Sequence, residues 1–280
     1  MSPAHSFSAD SFADNGVAVF PGAVSGAQLD QFRSAVDDLV SNFDPEGVRT
    51  VFSTDDQSHA RSDYFLTSGD KIRYFLEDGS VDANGAIVGD KRLALNKIGH
   101  AMHDIDPQMS TFSRASGFAD AAAAVGMTSP RLLQSMIIFK NPEVGGEVNT
   151  HTDHTFLWTE PQSVIGFWVA ADDATQENGC LWALPGGHTI PVKERFQRTA
   201  AGNATEMVIL DDSPYPRDGW VPLEVEAGTL IALHGTLPHR SAPNLSQKSR
   251  LAFTLHCIDA DAEYPQNNWL QRPDLPHVGF

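Results

Sequence analysis

Between Arg131 and Ile258 the chain is a succession of short runs of branched and aromatic residues separated by Gly, Pro and Asn, a texture that restricts this stretch to a β-rich core. Leu132–Lys140, Ser163–Ala171, Cys180–Leu184, Thr229–Leu233 and Arg250–Ile258 read as strands. Pro142, Asn178-Gly179, Pro185-Gly186-Gly187, Gly228 and Pro243-Asn244 punctuate them. Short strands spaced in this way predict a sandwich or barrel. The preceding part, about residues 1–130, reads as helical. Ser25-Gly26-Ala27-Gln28 has the form of a capping box. Leu29, Phe32, Val36, Leu39, Val40 and Phe43 then recur at spacings that mark one apolar helix face. A second helix is predicted from Pro107 to Val125, stopped by Gly126. The expectation is one domain over 1–280, mainly β, with N-terminal helices packed on one outer face of a core at about 131–260. Residues 200–219 have no period and read as a loop of the length that often serves as a lid.

Composition narrows the function. Hydrophobic residues make up 41% of the 280 and charged residues 20%, which suits a globular core rather than disorder. A net charge of −17 repels phosphate backbones and anionic membranes, so neither nucleic acid nor membrane is expected as a partner. No apolar stretch approaches the roughly 20 residues that span a bilayer. Met1 to His5 lack a charged segment leading into an apolar run, so no secretory signal is expected. Cys180 and Cys257 have no metal-knuckle spacing and read as two buried thiols of a cytoplasmic protein.

His151-Thr152-Asp153 sets an imidazole and a carboxylate two residues apart, on one face if the segment is a strand. Given 11 His and 36 acidic residues, chance alone yields roughly one such triplet. A second region sharpens the signal. His239 follows the strand Thr229–Leu233, Ser241 lies two residues on, and Arg250 opens the next strand. Two His and one carboxylate hold one face of Fe(II) and leave three positions open. A 2-oxo acid can fill two of them and O₂ the third. Arg250, assisted by the Ser241 hydroxyl, can bind the far carboxylate of that cosubstrate. A zinc hydrolase with the same three ligands and a bound water is the competing enzyme, and a non-catalytic sensor the competing binding module.

The chain also resembles the phytanoyl-CoA dioxygenase family, in particular its short, domain-containing branch. The resemblance rests on Ser68-Gly69-Asp70-Lys71-Ile72-Arg73, Asn96-Lys97-Ile98-Gly99-His100-Ala101, Gln134-Ser135-Met136 and Gly145-Gly146-Glu147. It continues through His151-Thr152-Asp153, Thr159-Glu160-Pro161, Glu177-Asn178-Gly179-Cys180-Leu181-Trp182, Pro185-Gly186 with His188, His239-Arg240-Ser241, Asn244-Leu245-Ser246 and Arg250, in order, from about Phe12 to Trp269. It implies a double-stranded β-helix core of the jelly-roll, cupin-like kind, with Fe(II), 2-oxoglutarate and O₂ as cofactor and cosubstrates. It implies iron ligation by His151, Asp153 and His239, and a cosubstrate pocket of Arg250, Ser241, Lys97, Met136 and Trp168. Halogenating relatives replace the carboxylate with a small residue, so Asp153 favours hydroxylation or another oxidation of a small organic molecule, with release of succinate and CO₂.

Other histidines are weighed against these. His154 adjoins Asp153 and should point away from a shared metal. His234 competes with His239, but only His239 sets Ser241 and Arg250 at the expected places. His256 reads as a satisfied inner histidine and His188 as a turn residue. His100 and His103 are candidates for substrate contact.

Overall fold

The computed structural model describes residues 7–45, 63–82 and 86–280, so the terminus read above for a leader lies outside the described residues. Helix α1 (Phe12–Asn15) leads into strand β1 (Val17–Phe20) and helix α2 (Gly26–Ser41). Then come α3 (Asp63–Leu66), β2 (Ile72–Leu76), β3 (Leu95–His100), α4 (Met102–Ile105), α5 (Pro107–Ser113) and α6 (Ser116–Ala124). The β-rich part begins with β4 (Pro130–Lys140), β5 (Val148–His151), α7 (Asp153–Phe156), β6 (Ile165–Ala170) and β7 (Leu181–Ala183). It ends with β8 (Glu194–Arg198), β9 (Thr205–Ile209), β10 (Val221–Leu223), β11 (Leu230–His234), β12 (His239–Ser241) and β13 (Arg250–Asp259).

A seven-stranded sheet of order β1-β11-β6-β13-β4-β3-β2 faces a four-stranded sheet of order β10-β7-β12-β5. Every strand pairing in them is antiparallel. The central strands alternate between two apolar interiors. Trp168 and Ala170 of β6, Ile231 and Leu233 of β11 and Ala252 of β13 point between the sheets, against Leu181, Ala183 and Leu223. Phe167, Val169, Leu230, Phe253 and Leu255 point the other way and pack under the helices. Burial on both faces explains why these strands read as nearly continuous apolar runs.

Helix α2 begins as the sequence predicts. The Ser25 hydroxyl accepts from the Gln28 amide at 3.3 Å, and the Gln28 side chain accepts from the Ser25 amide at 2.8 Å. Phe32 is its largest fully buried residue, with ring contacts to Phe112 at 4.7 Å and Phe253 at 5.7 Å. Burying one such ring contributes about 1.5–3 kcal/mol.

Three expectations are corrected. The N-terminal part is not purely helical, because β1, β2 and β3 are strands of the large sheet and extend both its edges. The predicted helix 107–125 is two helices. The Arg114 guanidinium reaches back to the Ser110 hydroxyl and to Asp104 and ends α5, and Gly117 then packs on the Ala23 carbonyl. A Cβ at Gly117 would lie 2.1 Å from that oxygen. The expected loop 200–219 contains β9, which pairs with β8 in a separate two-stranded sheet. That hairpin is only half buried, so its pattern lacks a clean apolar face. Cys180 and Cys257 are buried free thiols. Burial pushes the Cys180 thiol up to about 12. No helix among the described residues is long and apolar enough to cross a membrane.

Candidate metal centre and its cavity

Strand pairing brings the predicted ligands together. His151 ends β5 and lies directly opposite His239 on β12, with ring centroids 4.3 Å apart. Asp153 is the first residue of α7 rather than part of a strand, a correction to the strand reading. Thr152 between them is extended (φ −122°, ψ 144°), which keeps His151 and Asp153 on one side. Asp153 Oδ1 lies 3.9 Å from His151 Nε2 and 3.7 Å from His239 Nε2. One ligand atom from each residue falls within 4.8 Å of the others, and this is the only such His/Cys/Asp/Glu cluster among the described residues. Donors held about 2.1 Å from one ion sit roughly 3 Å apart at right angles, so a modest contraction completes the site.

The tautomers follow from the neighbours. His151 Nδ1 lies 2.9 Å from the Asn149 carbonyl oxygen and His239 Nδ1 3.0 Å from that of Leu237. A carbonyl only accepts, so both Nδ1 atoms carry hydrogen and both Nε2 lone pairs are left for a metal. Burial, reinforced by His239, pushes His151 down to about 4. Burial opposes the charge on Asp153, but the imidazoles of His256, His239 and His151 outweigh it and hold the carboxyl well below its usual range. Two neutral imidazoles and one carboxylate suit a divalent first-row metal.

This cluster opens on a cavity of about 450 Å³. Its far wall is the inner face of three neighbouring strands: Gln134, Met136 and Lys140 on β4, Arg250, Thr254 and His256 on β13, and Gly166 and Trp168 on β6. Arg250 is buried, 2% exposed, and its guanidinium carbon sits 5.4 Å from the Trp168 ring centroid. Among the described residues Arg250 Nε has no hydrogen-bond partner, and no carboxylate pairs with the group. Burial pushes it down to about 10. A buried cation in that state is costly unless an anion is brought to it. Ser241 and Lys97 also line the cavity. Lys97 lies 4.9 Å from the Phe75 ring centroid, and burial pushes its ammonium down to about 7.

His100 lines the cavity but His103 does not. His103 is fully buried, with Nδ1 on the Ser135 hydroxyl at 2.8 Å and Nε2 on Arg272 at 2.9 Å, so its polar atoms are taken. The His154 ring lies 4.2 Å from that of Trp158 and His234 bonds the Thr236 hydroxyl, both away from the cluster. Four cavity residues have surroundings that the sequence reading did not anticipate. His256, read as a satisfied inner histidine, has Nε2 3.3 Å from Asp153 Oδ1 and an unpartnered Nδ1. The period of β13 carries that signal, since Arg250, Thr254 and His256 share a face. Lys140 donates to the carbonyls of Gly146 at 2.7 Å, Ser241 at 3.5 Å and Ala242, tying β4 to the loop after β12. Gly166 lies against Asp153, and Glu194 faces the cavity from the hairpin.

A jelly-roll fold with two histidines on paired strands and a carboxylate at the start of the following helix, set so that they could hold a metal ion, defines a class of cavity-bearing proteins, and comparison with known proteins narrows it. The family model for phytanoyl-CoA dioxygenase (PhyH) matches residues 12–252. A phytanoyl-CoA dioxygenase of Arabidopsis thaliana is 40% identical over 271 residues, covering 95% of this chain and 93% of its own. Phytanoyl-CoA dioxygenase domain-containing protein 1 of Bos taurus is 40% identical over 275 residues, covering 95% and 94%. The chain belongs to the phytanoyl-CoA dioxygenase family. Among solved structures, the non-heme alpha ketoglutarate dependent epimerase SnoN from nogalamycin biosynthesis has the same fold. It superposes with a TM-score of 0.65 at 16% identity, over 97% of this chain and 89% of that one. EctD from S. alaskensis, solved with 2-oxoglutarate and 5-hydroxyectoine, does so with 0.62 at 17%, over 96% and 80%.

Proposed function

We propose that the protein is an Fe(II)- and 2-oxoglutarate-dependent dioxygenase that oxidises a C–H bond of a small organic molecule. The observation that carries this reading is the occurrence, within one cavity, of the His151, Asp153 and His239 cluster and the buried guanidinium of Arg250, which has no carboxylate partner among the described residues. A zinc hydrolase would use the three ligands but has no need of a buried cation facing them.

Fe(II) held there would, with 2-oxoglutarate and O₂, supply the oxidising chemistry: oxidative decarboxylation of the cosubstrate to succinate and CO₂ coupled to two-electron oxidation of the substrate, by hydroxylation or otherwise. The chain's own residues bind, orient and exclude water. His151, Asp153 and His239 hold the ion through two Nε2 atoms and a carboxylate oxygen. Arg250 receives the distal carboxylate of 2-oxoglutarate in a bidentate pair, with the Ser241 hydroxyl beside it. Lys97 would contribute a further donor, and Met136 and Trp168 would line the cosubstrate's pocket. The apolar walls keep bulk water from the reacting centre.

Anaerobic titration with Fe(II) and then 2-oxoglutarate tests this. A weak visible charge-transfer band is expected, abolished in Asp153→Ala and weakened in Arg250→Ala. No band, with tight zinc binding instead, would overturn the reading in favour of the hydrolase.

A further inference from the structure

The end of the cavity formed by the β8–β9 hairpin has a chemistry that neither a metal nor 2-oxoglutarate uses. Glu194 and Phe196 alternate on one face of β8, and Met207 lies opposite Phe196 in the β8–β9 register. All three line the cavity. Phe196 is part of an aromatic wall. Its ring centroid is 5.5 Å from Phe156 and 6.4 Å from both Phe65 and Trp269, while Phe65 and Trp269 stack at 4.3 Å. Phe156 in turn sits 5.9 Å from His151, so the wall adjoins the metal cluster. The hairpin is bolted in place: Arg198 donates to the carbonyls of Trp269 at 3.0 Å and Leu66 at 2.6 Å.

Two acceptors are set into this wall. No described residue hydrogen-bonds or ion-pairs with the Glu194 carboxylate, and burial alone raises its proton affinity. His100 is the second. The Ser68 hydroxyl donates to the Phe65 carbonyl at 2.6 Å, so it accepts from His100 Nδ1 at 2.8 Å. That leaves His100 Nε2 as a buried lone pair, with no partner among the described residues, on a ring edge-on to Trp269 at 5.2 Å. The cavity's cations are otherwise engaged. Lys140 is spent on carbonyls and Arg240 stacks on Trp220 at 4.3 Å. Arg250 and Lys97 serve the cosubstrate in the reading above, on which this inference rests.

Aromatic faces favour cations, a partly buried carboxylate favours a positive partner, and an unpartnered imidazole nitrogen favours an N–H or O–H donor. We infer that the substrate is an organic ammonium ion with an apolar body. Its charge is received by Glu194, a further N–H or O–H of the same molecule by His100 Nε2, and its body by Phe65, Phe156, Phe196 and Trp269.

The test uses the full chain loaded with Zn(II) and 2-oxoglutarate, a pair that supports no turnover, and three probes of equal length: n-hexylammonium, 1-hexanol and hexanoate. Calorimetry on the wild type is expected to rank them cation, neutral, anion, with the cation roughly fivefold to tenfold tighter than the alcohol. Glu194→Gln removes the cation's advantage and Glu194→Lys brings hexanoate to first place. Equal or better binding of hexanol or hexanoate by the wild type overturns the inference. So does binding of none of the three, or a ranking unchanged in Glu194→Gln. The preceding 2-oxoglutarate titration in the same cell reports separately on the dioxygenase reading, which fails if the cosubstrate does not bind.

Discussion

His256 Nε2 lies 3.3 Å from Asp153 Oδ1, closer than either histidine of the metal cluster. The imidazole comes from β13, in the opposite sheet from β5 and β12, and contacts the same carboxylate oxygen that their histidines approach. Groups that orient a metal ligand in this way typically contribute 10–100-fold in affinity, on the order of what His256→Phe should lose. Competition against a chromophoric chelator measures it. An unchanged affinity would leave His256 as packing alone.

Gly166 faces Asp153 from β6. A Cβ built there would meet Asp153 Oδ2 at 2.5 Å and His256 Cδ2 at 3.4 Å. Gly166→Ala is therefore expected to push the carboxylate off the cluster and abolish metal binding, with a stability loss of about 1–3 kcal/mol from overpacking. Metal titration beside thermal unfolding separates the two effects. Retained metal affinity would mean that the backbone of β6 can yield.

Arg250→Lys tests the anion site more sharply than removal does, because lysine keeps the charge and loses the fork. Losing one hydrogen bond to a charged group costs about 1.5–3 kcal/mol, so 2-oxoglutarate affinity should fall at least roughly tenfold. Metal affinity measured without the cosubstrate should not change. Tight 2-oxoglutarate binding by Arg250→Lys would remove the bidentate assignment.

Acid should destabilise the metal-free protein through histidines held neutral. Burial, then the neighbouring His234, pushes His154 down to about 4, and burial, then His188, does the same to His234. The unfolded chain takes up these protons near pH 6.5 and the folded one only near 4. Their stabilising contribution is complete above about pH 6.5 and is lost as the pH falls towards 4. Melting temperature should drop across that window, and His154→Phe should flatten part of the drop. A melting temperature flat from pH 7 to 4 would contradict the burial argument.

What could be read from the chain alone was what depends on local order. The capping box at Ser25 and Gln28, the five long apolar runs and the order of His151, Asp153, His239, Ser241 and Arg250 all lie in short segments. There the period of a helix or strand governs which residues share a face. The tertiary structure decided what depends on approach between distant segments. It set His239 opposite His151 through strand register, and carried His256 and Gly166 to Asp153. It built the edges of the large sheet from strands in a segment that reads as helical, and turned an aperiodic stretch into the hairpin that brings Glu194 to the cavity. A half-buried hairpin and a glycine under a carboxylate leave no periodic trace, because their cause is contact with residues that are far away in sequence.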